Sequence, residues 1–294
     1  NRISLGVQDF NPKVQEAVNR AQSEFITRQA IEWSRQLGFK SVNIDLIYGL
    51  PLQTVQSFGE TLNKVIDLLP ERIAAYNFAY VPWMKKHHKL IHVEDLPTPE
   101  SKIDILMSTI ETLNRAGYEY IGMDHFAKPD DELALAQQTK QLNRNFQGYS
   151  TKAGADLYGL GLSSISHFGT NYAQNAKTLQ EYYDAIESGT LATSVGYQMT
   201  FDDEIRKFII MKLMCDLSLS KKNVEEMFHI CFDDYFSESM MKLESLVEDE
   251  LVRSHATGFI VTPLGRLFLR NIAMCFDANA VKTGTKQNLY SQTV

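Results

Sequence analysis

Residues 41–51, Ser-Val-Asn-Ile-Asp-Leu-Ile-Tyr-Gly-Leu-Pro, decide how the rest of the chain is read. Ser41–Tyr48 is rich in β-branched and aromatic residues, and Gly49-Leu50-Pro51 is a turn, so the segment is a strand with a sharp exit. Both flanks repeat the theme. Upstream, Ile3–Phe10 alternates apolar and polar as a strand does. Asn11-Pro12 then offers an N-cap and a first-turn proline to the short segment KVQEAVNR, and a longer helix runs from about Ser23 to Leu37, stopped by Gly38. Downstream, a helix over Val55–Leu69 ends at Pro70 and Ile73–Val81 is a third strand. A long basic loop leads to a helix from Pro99 to about Arg115, and YEYIGM after Gly117 is a fourth strand.

Strand starts lie roughly 30–45 residues apart with a helix in each gap, the βαβ rhythm of an α/β protein with a parallel sheet. Parallel sheets carry ligand sites at the C-terminal ends of their strands. That rule points to Gln8-Asp9, Asp45 through Gly49, Asn77 through Tyr80, and Met123-Asp124-His125. The second half reads differently. Residues 128–196 are rich in Gly, Ser, Thr and Tyr, as in loops with short strands that cover a site. Residues 201–276 are mostly helical; they close with the hairpin pattern LVRSHATGFIV and a helix Pro263–Cys275, an order like that of a winged helix. The polar tail 278–294 is expected to fray.

Composition narrows the function classes. The chain has 294 residues, 44% of them hydrophobic, with 36 acidic against 29 basic side chains and a net charge of −7. That is enough apolar material for a sizeable core and too acidic for a strongly basic nucleic-acid binder. The winged-helix-like segment 201–276 carries nine Lys/Arg against thirteen Asp/Glu, which suits packing or a lid better than phosphate contact. No apolar run reaches the ~18 residues of a membrane span, and no signal peptide is evident. Cys215, Cys231 and Cys275 are scattered, with no CxxC pair, so neither a disulfide framework nor a structural zinc site is indicated, and a cytoplasmic protein is expected. The first residue is Asn and the chain opens directly into a strand, so the sequence is read as starting mid-protein.

Several groups have two readings. Gly159-x-Gly161 lacks the third glycine of a dinucleotide fingerprint and reads as a tight turn beside a packed strand. His88 and His92 have metal-ligand spacing on a helix, but no third ligand accompanies them in the basic stretch KKHHKLIH, so a solvated surface is the alternative. Asp45 sits inside an apolar strand and must be paired there or face a polar ligand. Gln8 has the same ambiguity. Arg20 is either a surface residue or a bidentate partner for a ligand carboxylate.

Longer strings are specific. GVQDFNPKVQEAVNR, NIDLIYGLPLQT, GYEYIGMDHFAKPDDELA, NFQGYST and RNIAMCFD, in this order, resemble the oxygen-independent coproporphyrinogen III oxidases (dehydrogenases), radical S-adenosylmethionine (SAM) enzymes of haem biosynthesis. The likeness runs from Arg2 to about Asp277. Haem-chaperone-like radical SAM proteins share the GLP turn, but they typically have GVQSF where this chain has GVQDF, with Asp9; a haem carrier that does not decarboxylate is the alternative.

The resemblance implies the C-terminal half of a partial (β/α) radical SAM barrel over 1–127, a loop-rich segment over 128–196 covering the site, and a mainly helical domain over 197–294. It implies oxidative decarboxylation of two propionates of coproporphyrinogen III to vinyl groups, giving protoporphyrinogen IX, through a 5′-deoxyadenosyl radical made from SAM at a [4Fe–4S] cluster. Gln8, Arg20, Asp45, Ala79 and Ile165 match SAM-contacting positions, with Ile47, Tyr76 and Gln147 beside them. No residue of this chain matches a catalytic group or a metal ligand: the family's CxxxCxxC motif is absent, and the fragment alone is expected to be inactive. An electron donor and an acceptor, both unidentified, are implied as partners. The tetracarboxylate substrate calls for cationic side chains, for which Arg144, Lys152 and Lys128 are candidates.

Overall fold

In the computed structural model, which describes residues 1–279, the chain divides after Thr139 into two units. The expected fraying tail lies almost entirely outside the described residues.

The first unit is built on three parallel strands, β1 (Arg2–Gln8), β2 (Ser41–Tyr48) and β3 (Arg72–Asn77). Helices α1 (Pro12–Ala17) and α2 (Glu24–Gln36) link the first pair, and α3 (Val55–Asp67) links the second. The starts of these helices follow from local chemistry. Asn11, Ser23 and Thr54 each accept a hydrogen bond from a first-turn N–H, and Thr54 forms a reciprocal capping box with Ser57. Each such cap stabilises its helix by about 1 kcal/mol. Along β2 the two-residue period separates two environments. Val42, Ile44, Leu46 and Tyr48 are buried in the core that holds Phe58, Leu62 and Val65 of α3, whereas Asn43, Asp45 and Ile47 on the other face are only partly covered. In register, Gly6 of β1, Asp45 of β2 and Ala74 of β3 form one row on that side of the sheet, open at Asp45 and covered at Ala74.

The fourth strand departs from expectation. After α4 (Pro99–Arg115), β4 (Glu119–Gly122) is followed at once by β5 (His125–Ala127), and the sheet order is β1-β2-β3-β5-β4. β5 lies antiparallel to both neighbours, so β4 is an edge strand rather than the next parallel one. A hairpin needs only a two-residue loop, whereas a parallel return needs a crossover. Here Met123, at φ +50°, turns the chain, and Tyr120 stacks on Phe126 across the pair at 5.0 Å. Met123-Asp124 is therefore the hairpin turn and His125 opens β5; the Asp124 carbonyl accepts from the Ala75 N–H at 2.7 Å. α5 (Glu132–Gln138) ends the unit; β3 stops at Asn77, short of the expected Val81.

The second unit begins with a hairpin, β6 (Asn143–Asn145) and β7 (Gly148–Ser150). An antiparallel sheet follows, ordered β10-β9-β8, from β8 (Ile165–Phe168), β9 (Asn171–Asn175) and β10 (Thr193–Gln198), with α6 (Leu179–Glu187) before its last strand. Then come α7 (Phe201–Asp216), β11 (Ser218–Ser220), α8 (Lys221–Phe228), α9 (Phe232–Tyr235), α10 (Ser237–Glu248), β12 (Val252–His255), β13 (Gly258–Val261) and α11 (Leu269–Met274). β11, β13 and β12 form a small antiparallel sheet that contains the expected hairpin, and Phe232, Phe236, Phe259 and Phe276 are buried. The expected helix from Pro263 starts instead as a 3₁₀ turn over Gly265–Phe268, where the Gly265 N–H is held by Thr262 Oγ1 at 2.9 Å. Gly159 packs against β8 so closely that a Cβ would lie 2.8 Å from the Ile165 carbonyl oxygen, in keeping with the packed turn expected there. Among the described residues no helix is long and apolar enough to cross a membrane.

Candidate functional site

At the C-terminal ends of β1 and β2 a cleft of about 450 Å³ opens. Gln8, Arg20 and Ile47 line it together with Leu50, Phe78 and His88. Its polar corner is shaped by β1. The strand bulges between Gly6 and Gln8, and Gln8 adopts φ +68°. Arg20, on the loop after α1, donates to the Gly6 carbonyl at 3.0 Å. A Cβ on Gly6 would lie 2.7 Å from the Gln8 side-chain nitrogen and 3.3 Å from the Arg20 guanidinium, so both side-chain ends close over the glycine and a larger residue would displace them. Arg20 has no carboxylate partner among the described residues, which leaves its other N–H groups available for an anion.

The residue after Gln8 holds this corner in place. Asp9 is 1% exposed and accepts three hydrogen bonds: from Asn11 N–H at 2.6 Å, Thr61 Oγ1 at 2.7 Å and Gln53 Nε2 at 2.5 Å. Gln53 in turn donates to the Ile47 carbonyl at 2.9 Å and accepts from the Leu50 N–H at 2.9 Å. One buried carboxylate thus ties the end of β1 to the Gly-Leu-Pro turn and to α3. The sequence offered Asp9 as part of a strand end and as a departure from Ser in relatives, not as an anchor; its partner Gln53 is 44 residues away and carried no signal.

Asp45 lies on the open face in the same row as Gly6. Its oxygens accept from Ser4 Oγ at 2.7 Å and Asn43 Nδ2 at 2.6 Å, so polar neighbours rather than an ion pair hold it among the described residues. Tyr76 pairs with Ile47 in register and meets His125 edge-on at 5.9 Å. Ala79 follows β3, one residue after Phe78. The structure thus brings Gln8, Arg20 and Ile47 into one cleft, with Asp45 and Tyr76 on the adjoining sheet face. Ile165, in β8, and Gln147, exposed at the tip of the β6-β7 hairpin, belong to the second unit.

His88 is part of the cleft in a way its sequence spacing did not suggest. KHHKL forms a 3₁₀ turn, not an α-helix, and the His88 Nδ1 accepts from the Val81 N–H at 3.1 Å. Its ring stacks on Tyr80, and burial, together with His87 and Lys85, lowers its pKa, so it stays neutral. Among the described residues no group of three or more His, Cys, Asp or Glu gathers as a metal site. Cys215 and Cys275 are buried thiols and Cys231 is exposed, so the residues of this chain do not fit an iron–sulfur cluster. Of the cationic candidates, Lys128 reaches Glu71 at 3.9 Å and the Leu69 carbonyl at 3.4 Å, a structural contact.

A family model described as the HemN C-terminal domain matches residues 199–268. The oxygen-independent coproporphyrinogen III oxidase of Thermostichus vulcanus is 50% identical over 279 residues, which cover 95% of this chain and 86% of that protein. The chain belongs to the oxygen-independent coproporphyrinogen III oxidase family. The family member from Synechocystis sp. is 47% identical over 298 residues, covering 100% of this chain and 64% of its own length. The solved structure of coproporphyrinogen III oxidase (HemN) from Escherichia coli, described as a radical SAM enzyme, superposes with a TM-score of 0.91 at 46% identity, over 95% of this chain and 64% of that one. The chain therefore spans less than two thirds of the length of these last two members. The superposition establishes the α/β fold as that of the family: strands and helices of a partial radical SAM barrel, followed by a mainly helical C-terminal domain.

Proposed function

We propose that the protein to which this chain belongs converts two propionate side chains of coproporphyrinogen III to vinyl groups without oxygen, giving protoporphyrinogen IX, in the cytoplasm. The observation that carries the reading is the cleft at Gln8 and Arg20, built on the ends of two parallel strands in a chain 47–50% identical to oxidases so named. The residues present fit SAM. Gln8 and Arg20 offer an amide and a guanidinium at the cleft, and Ile47, Leu50 and Phe78 offer apolar walls to an adenine ring.

In this reading Arg20 holds the methionine carboxylate bidentately and Gln8 hydrogen-bonds beside it. Asp45 accepts from a hydroxyl or amino group. Ala79, Ile47 and Tyr76 flank the ligand, and Ile165 and Gln147 are proposed as neighbours on the family correspondence alone. SAM held by these residues would supply the agent that removes a hydrogen atom; a cluster to reduce it would need ligands other than Cys215, Cys231 and Cys275. What this chain contributes is orientation and exclusion of water: Asp9 and Gln53 fix the strand ends, and His88, held neutral, neither adds charge nor donates a proton readily at the cleft wall. Each propionate loses one hydrogen atom from its β-carbon, CO₂ and one electron, so an electron acceptor is required as well as a donor to the cluster. Neither partner is nucleic acid or membrane in this reading.

The test is an anaerobic assay of the intact, cluster-loaded protein with SAM, reductant and coproporphyrinogen III. Protoporphyrinogen IX is expected. Unchanged substrate with a competent cluster, or stoichiometric haem binding without decarboxylation, overturns the proposal.

A further inference from the structure

The ladder of β3 stops at Asn77, and the segment that follows is held by other means. The Phe78 N–H donates to the Tyr48 carbonyl at 2.8 Å, a last bond to the end of β2. The Phe78 carbonyl is met from outside the sheet, by Lys102 Nζ of α4 at 3.4 Å. Lys102 sits near the start of α4, where the helix dipole disfavours a cation, so helix chemistry does not account for it. Its stem runs across Gly49 instead. A Cβ on Gly49 would lie 2.9 Å from Lys102 Cε and 3.3 Å from Cδ, and Gly49 has φ +82°, so the turn needs glycine both for its backbone and to leave the stem its path. Asn77 Oδ1 lies 3.4 Å from the same point, and it is a buried acceptor with no hydrogen-bond partner among the described residues.

A half-buried ammonium loses hydration that hydrogen-bond acceptors must restore. Burial lowers the Lys102 pKa, and no charged or titratable group on the Gly49 turn, the end of β3 or α4 adds to that shift. The acceptors beside it are the Phe78 carbonyl and the Asn77 amide oxygen. A 3.4 Å contact is long for an N–H···O bond, as suits an ammonium shared between the two. Both ends of this contact adjoin the cleft. Leu50 follows Gly49, and Leu50 and Phe78 line the cleft, where the Phe78 ring meets His88 at 5.2 Å. Lys102 itself is not among the lining residues. We propose that Lys102 is a positioning residue: its ammonium clamps the Gly49-Leu50 turn to the Phe78-Ala79 segment and so sets the wall against which the adenine of SAM packs. The role rests on the reading of the cleft as a SAM site.

The test is isothermal titration of SAM into the intact protein, with urea denaturation of each variant beside it. Lys102→Met keeps the length of the stem and removes the charge. Its SAM affinity is expected to fall about fivefold or more with stability unchanged, because the lost hydrogen bonds are offset by the lost cost of burying a charge. In turnover, KM for SAM is expected to rise by the same factor while kcat changes little. Lys102→Arg, which keeps a cationic donor, is expected to recover most of the affinity. From about pH 8 to about pH 10 the wild-type affinity should fall more steeply than that of the arginine variant, whose guanidinium does not titrate there. Wild-type affinity in folded Lys102→Met, or an affinity loss matched by lost stability and not recovered by arginine, overturns the assignment. Weakened SAM binding in Lys102→Met, in a protein that forms no protoporphyrinogen IX, leaves the clamp standing and removes the reaction. A wild-type protein that does not bind SAM removes the reading of the cleft, and the role of Lys102 with it.

Discussion

The Asp9 carboxylate accepts a 2.5 Å hydrogen bond from the Gln53 side chain, joining the end of the first strand to the turn that follows the second. Both residues are buried, at 1% and 4% exposure, so neither has water as a substitute partner. Asp9→Ala strands donors on Gln53, Thr61 and Asn11, and about 2–4 kcal/mol of stability should be lost. Asp9→Asn, which keeps one acceptor oxygen, should cost less. Urea denaturation measures both, and a loss below about 0.5 kcal/mol for the alanine variant would show that the bond does not hold the strand ends.

Arg20 and Asp45 flank Gly6 from different directions, one through its carbonyl and one across the ladder. Replacing either by alanine in the intact protein should weaken SAM about tenfold or more, the low end for a charge-assisted hydrogen bond. Isothermal titration with unchanged affinity for both variants would remove them from the site.

The three thiols should react very differently. Burial pushes the Cys215 thiol up to about 12 and raises Cys275 as well, whereas Cys231 is exposed. Titration with an aromatic disulfide near pH 8 should modify one thiol in the native protein and all three in denaturant. Rapid modification of Cys215 in the folded state would contradict the packing around α7.

Tyr118 sets an alkaline limit. Burial, with the nearby Glu71 charge, raises its phenol to about 12, and its hydroxyl donates to the Pro70 carbonyl at 2.7 Å. Below pH 10 both folded and unfolded forms are protonated and the contribution is fully present. As pH rises from about 10 to about 12 the unfolded chain ionises first, so stability falls, by at most about 3 kcal/mol. Tyr118→Phe should flatten that part of the profile. Cys215 contributes its own slope over much of the same range, so the variant should reduce the fall without abolishing it.

The first unit's parallel strands and helix starts were legible because they rest on local chemistry: the period of Ser41–Tyr48, and caps at Asn11, Ser23 and Thr54. The β4-β5 hairpin was not. His-Phe-Ala is too short to show a period, and its direction depends on the backbone of Met123. The site divides the same way. Gln8 and Ile47 fall at strand ends picked out from the sequence, Arg20 reads there as either a surface residue or a ligand partner, and the cleft gathers all three. Contacts formed across long separations, such as Asp9 with Gln53 or His167 with Lys207 40 residues on, leave no local pattern to read.

The central claim is that a hydrogen atom leaves the propionate β-carbon under a SAM-derived agent held at this cleft. The most direct measurement supplies coproporphyrinogen III deuterated at that carbon to the intact, cluster-loaded protein under anaerobic conditions and analyses 5′-deoxyadenosine by mass spectrometry. Deuterium should appear in the 5′-deoxyadenosine in step with protoporphyrinogen IX. Protoporphyrinogen formed while the 5′-deoxyadenosine stays unlabelled would contradict the account.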